Sequence, residues 1–335
     1  MRLAGRIFET IKGLALPPRA PRRLTLGEAL PRLVPKVRPR FLFESLALGG
    51  AEEGPVFRPL AGIFAQSLVV DAPEWEVDVG PRDLASWGAD FDALFQKARA
   101  NLVQRGGEEG FEEVRPGLFR STWQDNLDGS RVVLPGVLRR LPLRGDPVVV
   151  LPNRDNLLVA GSEDPRALCW ILEAALEFMW GDPKALNGCP LRLRGFQWEP
   201  WEVPDEAHPA ARLLGRVRRR RMVEEYTRQK SLLDRLHGRE GRAVSVAPYH
   251  LEKTASGAVR SCTFLPQGGQ EGWLPKADQV GLLREGRTCL WIPWEAAMDH
   301  LGPLLEPLGL FPERYRIRCP EALTSFSWTE LRQPS

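Results

Sequence analysis

The sequence lacks the short motifs that mark the common classes of enzyme. None of its 335 residues forms a G-x-G-x-x-G dinucleotide loop, a G-x-x-x-x-G-K-[ST] phosphate loop, an H-E-x-x-H zinc motif or a G-x-S-x-G nucleophile elbow. Histidine is also scarce, and its four copies have no metal-ligand spacing. These absences argue against zinc chemistry and covalent catalysis, and we expect no cofactor. The histidines are His208, His237, His250 and His300.

Cysteine is sparse, with five residues and no C-x-x-C pair. This odd number at wide spacing predicts free thiols in a reducing compartment and no zinc site. No apolar run approaches the roughly 20 residues that span a bilayer. Charged residues interrupt the first sixteen positions, so that no secretory signal is recognised. We therefore expect a cytoplasmic protein without a transmembrane segment.

The charge is nearly balanced, because 46 lysines and arginines face 43 aspartates and glutamates. A formal net charge of +3 implies no global attraction to nucleic acid or to acidic membranes. The length suggests about two domains. The element pattern predicts an α/β to α+β fold of two mixed modules, each a small sheet packed with helices. The expected boundaries are 1–40 for an N-terminal helix and connector, 41–188 for a first module and 189–335 for a second.

The N-terminal stretch has two interpretations. Met1–Leu16 places apolar residues on one helical face and basic residues beside them. It is either a helix that docks on a membrane surface or a partner, or a terminal helix that packs on the protein itself. The proline- and arginine-rich segment Pro17–Arg40 is expected to be an extended connector.

The stretch Gly117–Trp180 carries the clearest local pattern. The valine-rich run Pro147–Leu151 predicts a strand buried on both faces, which ends at Pro152. Turn-forming residues at Asn153–Asn156 and a second apolar run then predict a hairpin. Ser162 is a plausible N-cap for a helix that continues to about Trp180. Upstream, Asp128 or Ser130 is expected to cap a short helix through Leu138.

These segments carry a family resemblance. Asp128–Leu134 (DGSRVVL), Val148–Val159 (VVVLPNRDNLLV) and Ala98–Leu102 (ARANL) resemble the YtpQ family of bacterial proteins of unknown function. The chain departs from the family pattern at Asn153 and Arg154. The resemblance covers about residues 83–180 and implies a cytoplasmic α/β protein. It implies no activity.

Polar residues in the predicted turns form the first candidate site. If Asp125, Asp128 and Asp155 converge, they could bind Mg²⁺ or act as an acid–base pair. The alternative is that Asp128 caps a helix, Asp155 closes the hairpin and an arginine pairs with one of them. The full candidate surface consists of Asn101, Asp125, Asp128, Arg131, Arg154 and Asp155.

The second candidate site lies after residue 189. A long helix is expected from about Ala210 to His237, with Gly238 as its stop. Four consecutive arginines cannot share one solvent face of that helix. They either bind a phosphate-bearing or acidic surface or pair with local carboxylates such as Glu224 and Glu225. The candidate contacts are Arg216, Arg218, Arg219, Arg220 and Arg221, with Trp198 and Trp201 as aromatic anchors for a partner or as core-edge residues.

One short repeated sequence pattern raises the question of an internal duplication. Leu151-Pro152-x-x-Asp155 recurs as Leu274-Pro275-x-x-Asp278, and each precedes an apolar strand. Our leading functional hypothesis is a non-catalytic protein–protein interaction or adaptor module. The alternatives are a nucleic-acid-associated protein that uses the basic helix, and a metal-assisted enzyme built on Asp125, Asp128 and Asp155.

Overall fold

The chain forms two compact units, each a mixture of strands and helices. Of the described residues, those from 23 to 43 and from 54 to 218 belong to unit 1, and those from 44 to 48 and from 219 to 317 belong to unit 2. The predicted mixed fold, with small sheets packed by helices, is confirmed. The structure is a computed structural model that describes residues 23–48, 54–106, 110–178, 185–254, 257–266, 271–284 and 288–317.

Unit 1 contains two antiparallel sheets. In the smaller sheet β1, β3 and β2 lie in that order and β4 also pairs with β3; in the larger the order is β10-β9-β7-β8-β6-β5. The strands are β1 (Leu33–Pro39), β2 (Phe57–Leu60), β3 (Phe64–Ala72), β4 (Trp75–Asp78), β5 (Phe111–Arg115), β6 (Leu118–Ser121), β7 (Pro147–Asn153), β8 (Asn156–Gly161), β9 (Ala185–Arg194) and β10 (Gln197–Pro200). The helices are α1 (Leu26–Ala29), α2 (Arg40–Leu48, of which the part from Glu44 belongs to unit 2), α3 (Pro81–Trp87), α4 (Phe91–Gly106), α5 (Pro135–Leu138) and α6 (Pro165–Phe178), with 3-10 turns at Leu30–Arg32 and Gly129–Val133.

The predicted hairpin is the centre of the larger sheet. Strand β7 lies between β8 and β9, and alternate residues face two different cores. Val149 joins one apolar cluster, whereas Val148 joins the cluster that α6 covers. The prediction of a strand buried on both faces is therefore confirmed. Pro152 was expected to end this strand but lies inside it. The pairing with β8 shifts register after Val150, so the irregular ladder does not need the N–H group that proline lacks.

Helix α6 begins with a different cap from the one expected. The Asp164 Oδ1 atom accepts hydrogen bonds from the backbone N–H groups of Arg166 and Ala167 at 3.2 and 3.0 Å. Ser162 instead accepts from the Asp146 N–H at 2.9 Å and so braces the start of β7. The helix buries one apolar face against the sheet, as its spacing predicts.

The predicted connector Pro17–Arg40 is wrong for its described part. Helix α1 has a capping box, in which Thr25 and Glu28 bond each other's backbone N–H. Strand β1 is buried along most of its length and, among the described strands, pairs with β3 alone. An edge strand tolerates proline, because one of its sides needs no ladder hydrogen bonds. The predicted helix Met1–Leu16 lies outside the described residues.

The first unit extends beyond the predicted boundary at 188/189. Strand β9 pairs with β7 through Val148↔Arg192 and Val149↔Leu191, and β10 pairs with β9. Residues 189–200 thus complete the larger sheet of unit 1. Local sequence shows that a segment is a strand, but it does not show which distant strand it joins.

Unit 2 contains two four-stranded sheets, with orders β11-β14-β18-β17 and β12-β13-β15-β16. The long helix predicted from Ala210 is present and ends at Glu240, just before Gly241 with φ of 66°. Most of that helix belongs to unit 2. The elements are α7 (Ala211–Glu240), α8 (Trp294–Leu301), a 3-10 turn at Gly302–Leu304, and strands β11 (Val244–Val246), β12 (His250–Lys253), β13 (Val259–Phe264), β14 (Glu271–Pro275), β15 (Gln279–Arg284), β16 (Thr288–Pro293), β17 (Leu305–Pro307) and β18 (Arg314–Ile317).

The two Leu-Pro-x-x-Asp segments have different topologies. The first spans the tip of the β7–β8 hairpin, whose strands pair with each other. The second lies between β14 and β15, which belong to different sheets. The shared letters therefore do not mark a shared supersecondary unit.

Candidate functional site

The turn Asp125–Arg131 is held together by its own side chains. Arg131 donates from Nη1 to Asp125 Oδ1 and from Nη2 to Oδ2, both at 2.8 Å. Its guanidinium also lies 4.1 Å from the centre of the Trp123 ring, and Arg131 is 2% exposed. Burial acts to raise the pKa of Asp125, but the hydrogen bonds and charge of Arg131 hold that pKa below its usual value. The pair is an internal salt bridge with bidentate geometry.

Asp128 serves the backbone of the same turn. Its carboxylate is fully buried and accepts from the N–H groups of Gln124 and Asp125, each at 3.2 Å. Burial raises its pKa, although hydrogen bonds from Ser121 and these two amides oppose the change. It stabilises a turn in which Gln124 and Asn126 both have positive φ. The expected helix-cap hydrogen bond from Asp128 is not formed.

Further residues of the resemblance connect separate elements of unit 1. Asn101 Nδ2 donates to the carbonyls of Leu30 and Leu33, both at 2.8 Å. The Ser130 hydroxyl accepts from the Val37 N–H at 3.0 Å. The Gly129 N–H donates to the Arg154 carbonyl at 3.3 Å, which links the 3-10 turn to the hairpin tip. These contacts give the motif residues structural roles.

The three candidate carboxylates do not form a metal site. Asp125 is bound by Arg131, Asp128 by the turn, and the Asp155 N–H donates to Asn153 Oδ1 at 3.1 Å. Across the described ranges, no group of three or more His, Cys, Asp and Glu side chains could hold a metal ion. The geometry therefore gives the metal-assisted enzyme no support.

The two tryptophans expected as anchors pack inside unit 1. Trp201 is 2% exposed and belongs to the cluster that contains Ala210 and Leu214. Trp198 is partly buried and its Nε1 donates to the Val132 carbonyl at 3.1 Å. Both meet the alternative expectation of core-edge residues.

Most of the arginine run on α7 is paired. Arg218 donates to Glu202 at 2.6 Å and to the Trp201 carbonyl at 3.0 Å. Arg220 pairs with Glu224 at 2.8 Å, and Arg221 lies 3.7 Å from Glu225. Arg216 and Arg219 have no carboxylate within 4.0 Å in the part of the chain that the structure describes. The paired carboxylates reduce the positive field that a phosphate-binding ridge would need.

Glu225 makes the stability of unit 2 depend on pH. Burial raises its pKa from 4.5 to about 7, against the opposing charges of Arg221 and Arg228. In that interval the folded state keeps a proton that the unfolded state has lost, so stability falls as pH rises. We expect the unfolding free energy of Glu225→Gln relative to wild type to rise by on the order of 2–3 kcal/mol between about pH 5 and pH 8.

Chemical denaturation at each pH measures this difference. Glu224→Gln is the matched control, because Glu224 is about one third exposed and pairs with Arg220. It should show little change with pH. A difference between wild type and Glu225→Gln that stays constant with pH would contradict the prediction.

A cleft of about 500 Å³ lies in unit 2, between one face of α7 and the segment that leads into β12. Val223, Tyr226, Thr227 and Lys230 line it from the helix, and residues 248–251 line it from the other side. Such a volume and a mixed apolar and polar lining are typical of binding sites. No candidate residue of the sequence analysis lines this cleft.

Strand β12, beside the cleft, is the edge of its sheet. Of the strands that the structure describes, it pairs with β13 alone, from His250↔Cys262 to Lys253↔Val259, and all four of its residues are exposed. Leu251 is 38% exposed although it is apolar. One side of this strand therefore presents backbone N–H and C=O groups without a strand partner among the described residues.

Tyr249 forms an aromatic wall of the cleft, and the buried Tyr226 supports it from behind. The rings of Tyr226 and Tyr249 lie 4.8 Å apart at 25°. The Tyr226 hydroxyl donates to the Glu313 carbonyl at 2.7 Å and accepts from the Lys276 N–H at 3.2 Å. The Arg314 guanidinium lies 5.3 Å from the Tyr226 ring centre. These contacts fix the ring before any ligand binds.

The helical wall adds a polar strip to the cleft. Lys230 and Asp234 pair at 2.7 Å, and the Ser231 hydroxyl donates to the Thr227 carbonyl at 3.0 Å. The strip is close to neutral because its cation and carboxylate are matched. This wall of the cleft therefore carries little net charge.

Sequence reasoning missed this site for a definable reason. The chain has only three tyrosines, and two of them stack here. The scarcity of tyrosine is visible in the composition and could have drawn attention to these positions. His250 begins β12. The edge position of β12 depends on pairings with β13 and β15 that local sequence does not reveal.

The search for a membrane-spanning helix in the described part of the chain and the three comparisons with known proteins all found nothing. Among the described residues, no helix has both the length and the apolar character to cross a membrane. No protein-family model, curated protein or solved structure matches this chain.

Proposed function

We propose that this protein is a non-catalytic interaction protein that binds an extended segment of a partner protein in the cleft of unit 2. The observation that carries the proposal is that an exposed edge strand, β12, borders a preformed aromatic cleft. An added strand would bond to the free side of β12, while alternate side chains enter the cleft. This combination is a recurrent mode of peptide recognition.

The chemistry of the cleft favours a peptide with alternating apolar side chains. Val223, Pro248 and Leu251 supply apolar contacts, and the partly buried ring of Tyr249, stacked on the buried ring of Tyr226, supplies a rigid aromatic surface. Lys230 and Asp234 can each bond a polar group of the bound segment. The partner in this proposal is therefore a protein segment that binds in an extended conformation.

Two parts of the proposal rest on sequence. Free thiols at Cys169, Cys189 and Cys262 support a reducing compartment, which we propose to be the cytoplasm. Membership of the YtpQ family remains a prediction from residues 98–102, 128–134 and 148–159.

The nucleic-acid alternative depends on Arg216 and Arg219, since the other three arginines of that run have carboxylate partners.

Selection of random peptides on the full-length chain tests the proposal. We expect enriched peptides to alternate apolar and polar residues and to bind at least about tenfold more weakly to Leu251→Asp. Val103→Asp is the matched control, because Val103 is 40% exposed and lies on α4 in unit 1. This control should bind like wild type.

Methylation of the peptide backbone gives a second readout. In an added strand, alternate N–H groups point toward the neighbouring strand. N-methylation should therefore weaken binding at every second residue of the selected peptide. Binding that survives Leu251→Asp, or that tolerates N-methyl groups at all positions, would exclude strand addition at β12.

A further inference from the structure

A group of charged side chains in unit 1 has no part in this proposal. Lys36 and Arg38 lie two residues apart on β1, and Glu76 and Asp78 lie two residues apart on β4. We call these four residues the β1–β4 charge cluster. Lys36 Nζ pairs with Glu76 at 2.6 Å, and Arg38 pairs with Glu76 at 2.8 Å and with Asp78 at 2.5 Å. Two cations and two carboxylates are thus matched within the cluster.

Arg154 adds a third cation beside this balanced cluster. It lies at the tip of the β7–β8 hairpin and is partly buried. Its Nε is buried without a hydrogen-bond acceptor, and so is the Nε of Arg38. Within the described ranges no carboxylate lies within 4.0 Å of the Arg154 guanidinium. Buried donors of charged groups are costly when they remain unbonded.

Two backbone contacts bring Arg154 near the cluster: its carbonyl accepts from the Gly129 N–H, and the adjacent Ser130 hydroxyl accepts from the N–H of Val37, between Lys36 and Arg38. Burial lowers the pKa of Arg154 and the nearby charge of Arg38 lowers it further, against weaker contributions from Glu76, Asp155 and Asp78. The charge of Arg154 in turn contributes to lowering the pKa of Lys36, which burial lowers most. Arg154 is therefore close to like charges while it lacks a directly bonded anion.

The hairpin tip holds Arg154 in place. The Arg154 carbonyl accepts from the Gly129 N–H at 3.3 Å. Asn153 Oδ1 accepts from the Asp155 N–H at 3.1 Å and from Asn156 Nδ2 at 2.9 Å. A fixed backbone lowers the entropy that the arginine loses when it binds a ligand.

We infer that Arg154, with Arg38 beside it, forms a binding site for an oxyanion, the carboxylate or phosphate group of a ligand. A guanidinium presents paired N–H donors that match two oxygens of such a group. The anion would neutralise the third cation and would accept from the terminal N–H groups of Arg154, which, unlike its Nε, are not among the buried atoms. This site is in unit 1 and is independent of the peptide-binding cleft.

Titration of the full-length chain with anions at constant ionic strength tests the site. The probes are inorganic phosphate and acetate, with chloride as the balancing ion, and the readout is the ¹⁵N–¹H resonance of the Arg154 Nε–H group. We expect a saturable shift with at least one probe. Stronger binding of phosphate would indicate a phosphate-bearing ligand, and equal or stronger binding of acetate would indicate a carboxylate ligand.

Three variants test the assignment of the site to Arg154. Their anion binding is measured as the change in melting temperature of the whole protein during the titration. Arg154→Gln should abolish the saturable response. Arg154→Lys should weaken anion binding by roughly tenfold, because lysine keeps the charge but lacks the paired N–H donors of a guanidinium. Arg120→Gln is the matched control, since Arg120 is an exposed arginine paired with Glu112. It should respond like wild type. No saturable response to either anion in wild type, or an unchanged response in Arg154→Gln, would overturn the inference.

Discussion

Replacing Arg131 with alanine is expected to lower the unfolding free energy of unit 1 by about 3–5 kcal/mol. Arg131 is 2% exposed, bonds both oxygens of Asp125 and covers the Trp123 ring. Its loss leaves a partly buried carboxylate without its cation and opens a cavity beside the ring. Exchange of the β7 and β8 backbone amides, which reports global unfolding of unit 1, measures the effect.

Arg120→Ala is the control for Arg131→Ala. Arg120 lies on β6 of the same unit and pairs with Glu112, but both side chains are more than 40% exposed. An exposed pair contributes about 0–1 kcal/mol. If the two alanine variants had equal stability, the Asp125–Arg131 turn would not be the structural element described above.

Replacing Arg314 with alanine is expected to lower the unfolding free energy of unit 2 by about 3–5 kcal/mol. Arg314 is fully buried and donates to Gln229 Oε1 at 2.6 Å and to the carbonyls of Ala247 and Trp273 at 2.8 and 3.1 Å. Burial lowers its pKa to about 10, which leaves the guanidinium charged at neutral pH. Alanine would leave three buried acceptors without this donor.

Two further variants separate the causes of the Arg314 effect. Arg314→Met restores most of the volume without the hydrogen bonds, so it should recover only part of the lost stability. Arg316→Ala, on the same strand, removes a partly exposed pair with Glu306 and should cost about 1 kcal/mol or less. Amide exchange in β14 and β18 measures all three. A loss in Arg314→Ala no larger than in Arg316→Ala would contradict the prediction.

Local sequence predicted those elements whose signals are contiguous. The valine run and the turn at Asn153–Asn156 specify the hairpin, and a long helical pattern specifies α7. Prediction from the sequence failed where strand pairing joins segments that are distant along the chain. Strand β1 was missed because its prolines suggest a connector, although an edge position accommodates them. Strand β9 was assigned to the second module because its partner β7 is remote in sequence.

The candidate residues show a similar limit. The aspartates and arginines of Asp125–Arg131 are the types that either a site or a turn needs, and only distances decide between these roles. The role of the run Arg218–Arg221 could likewise be assigned only once its carboxylate partners were known. Glu202, the partner of Arg218, is remote from it in sequence. The cleft could not be predicted because it depends on an edge strand whose status is set by the whole sheet.

Hydrogen–deuterium exchange of the full-length chain, with and without a peptide selected on it, tests the central claim most directly. Strand addition predicts that amides of His250–Lys253 become protected, because the free side of β12 gains backbone hydrogen bonds. Residues 125–131 and 153–156 should exchange at the same rates in both states. Protection that appears at those turns while β12 remains unchanged would contradict the account.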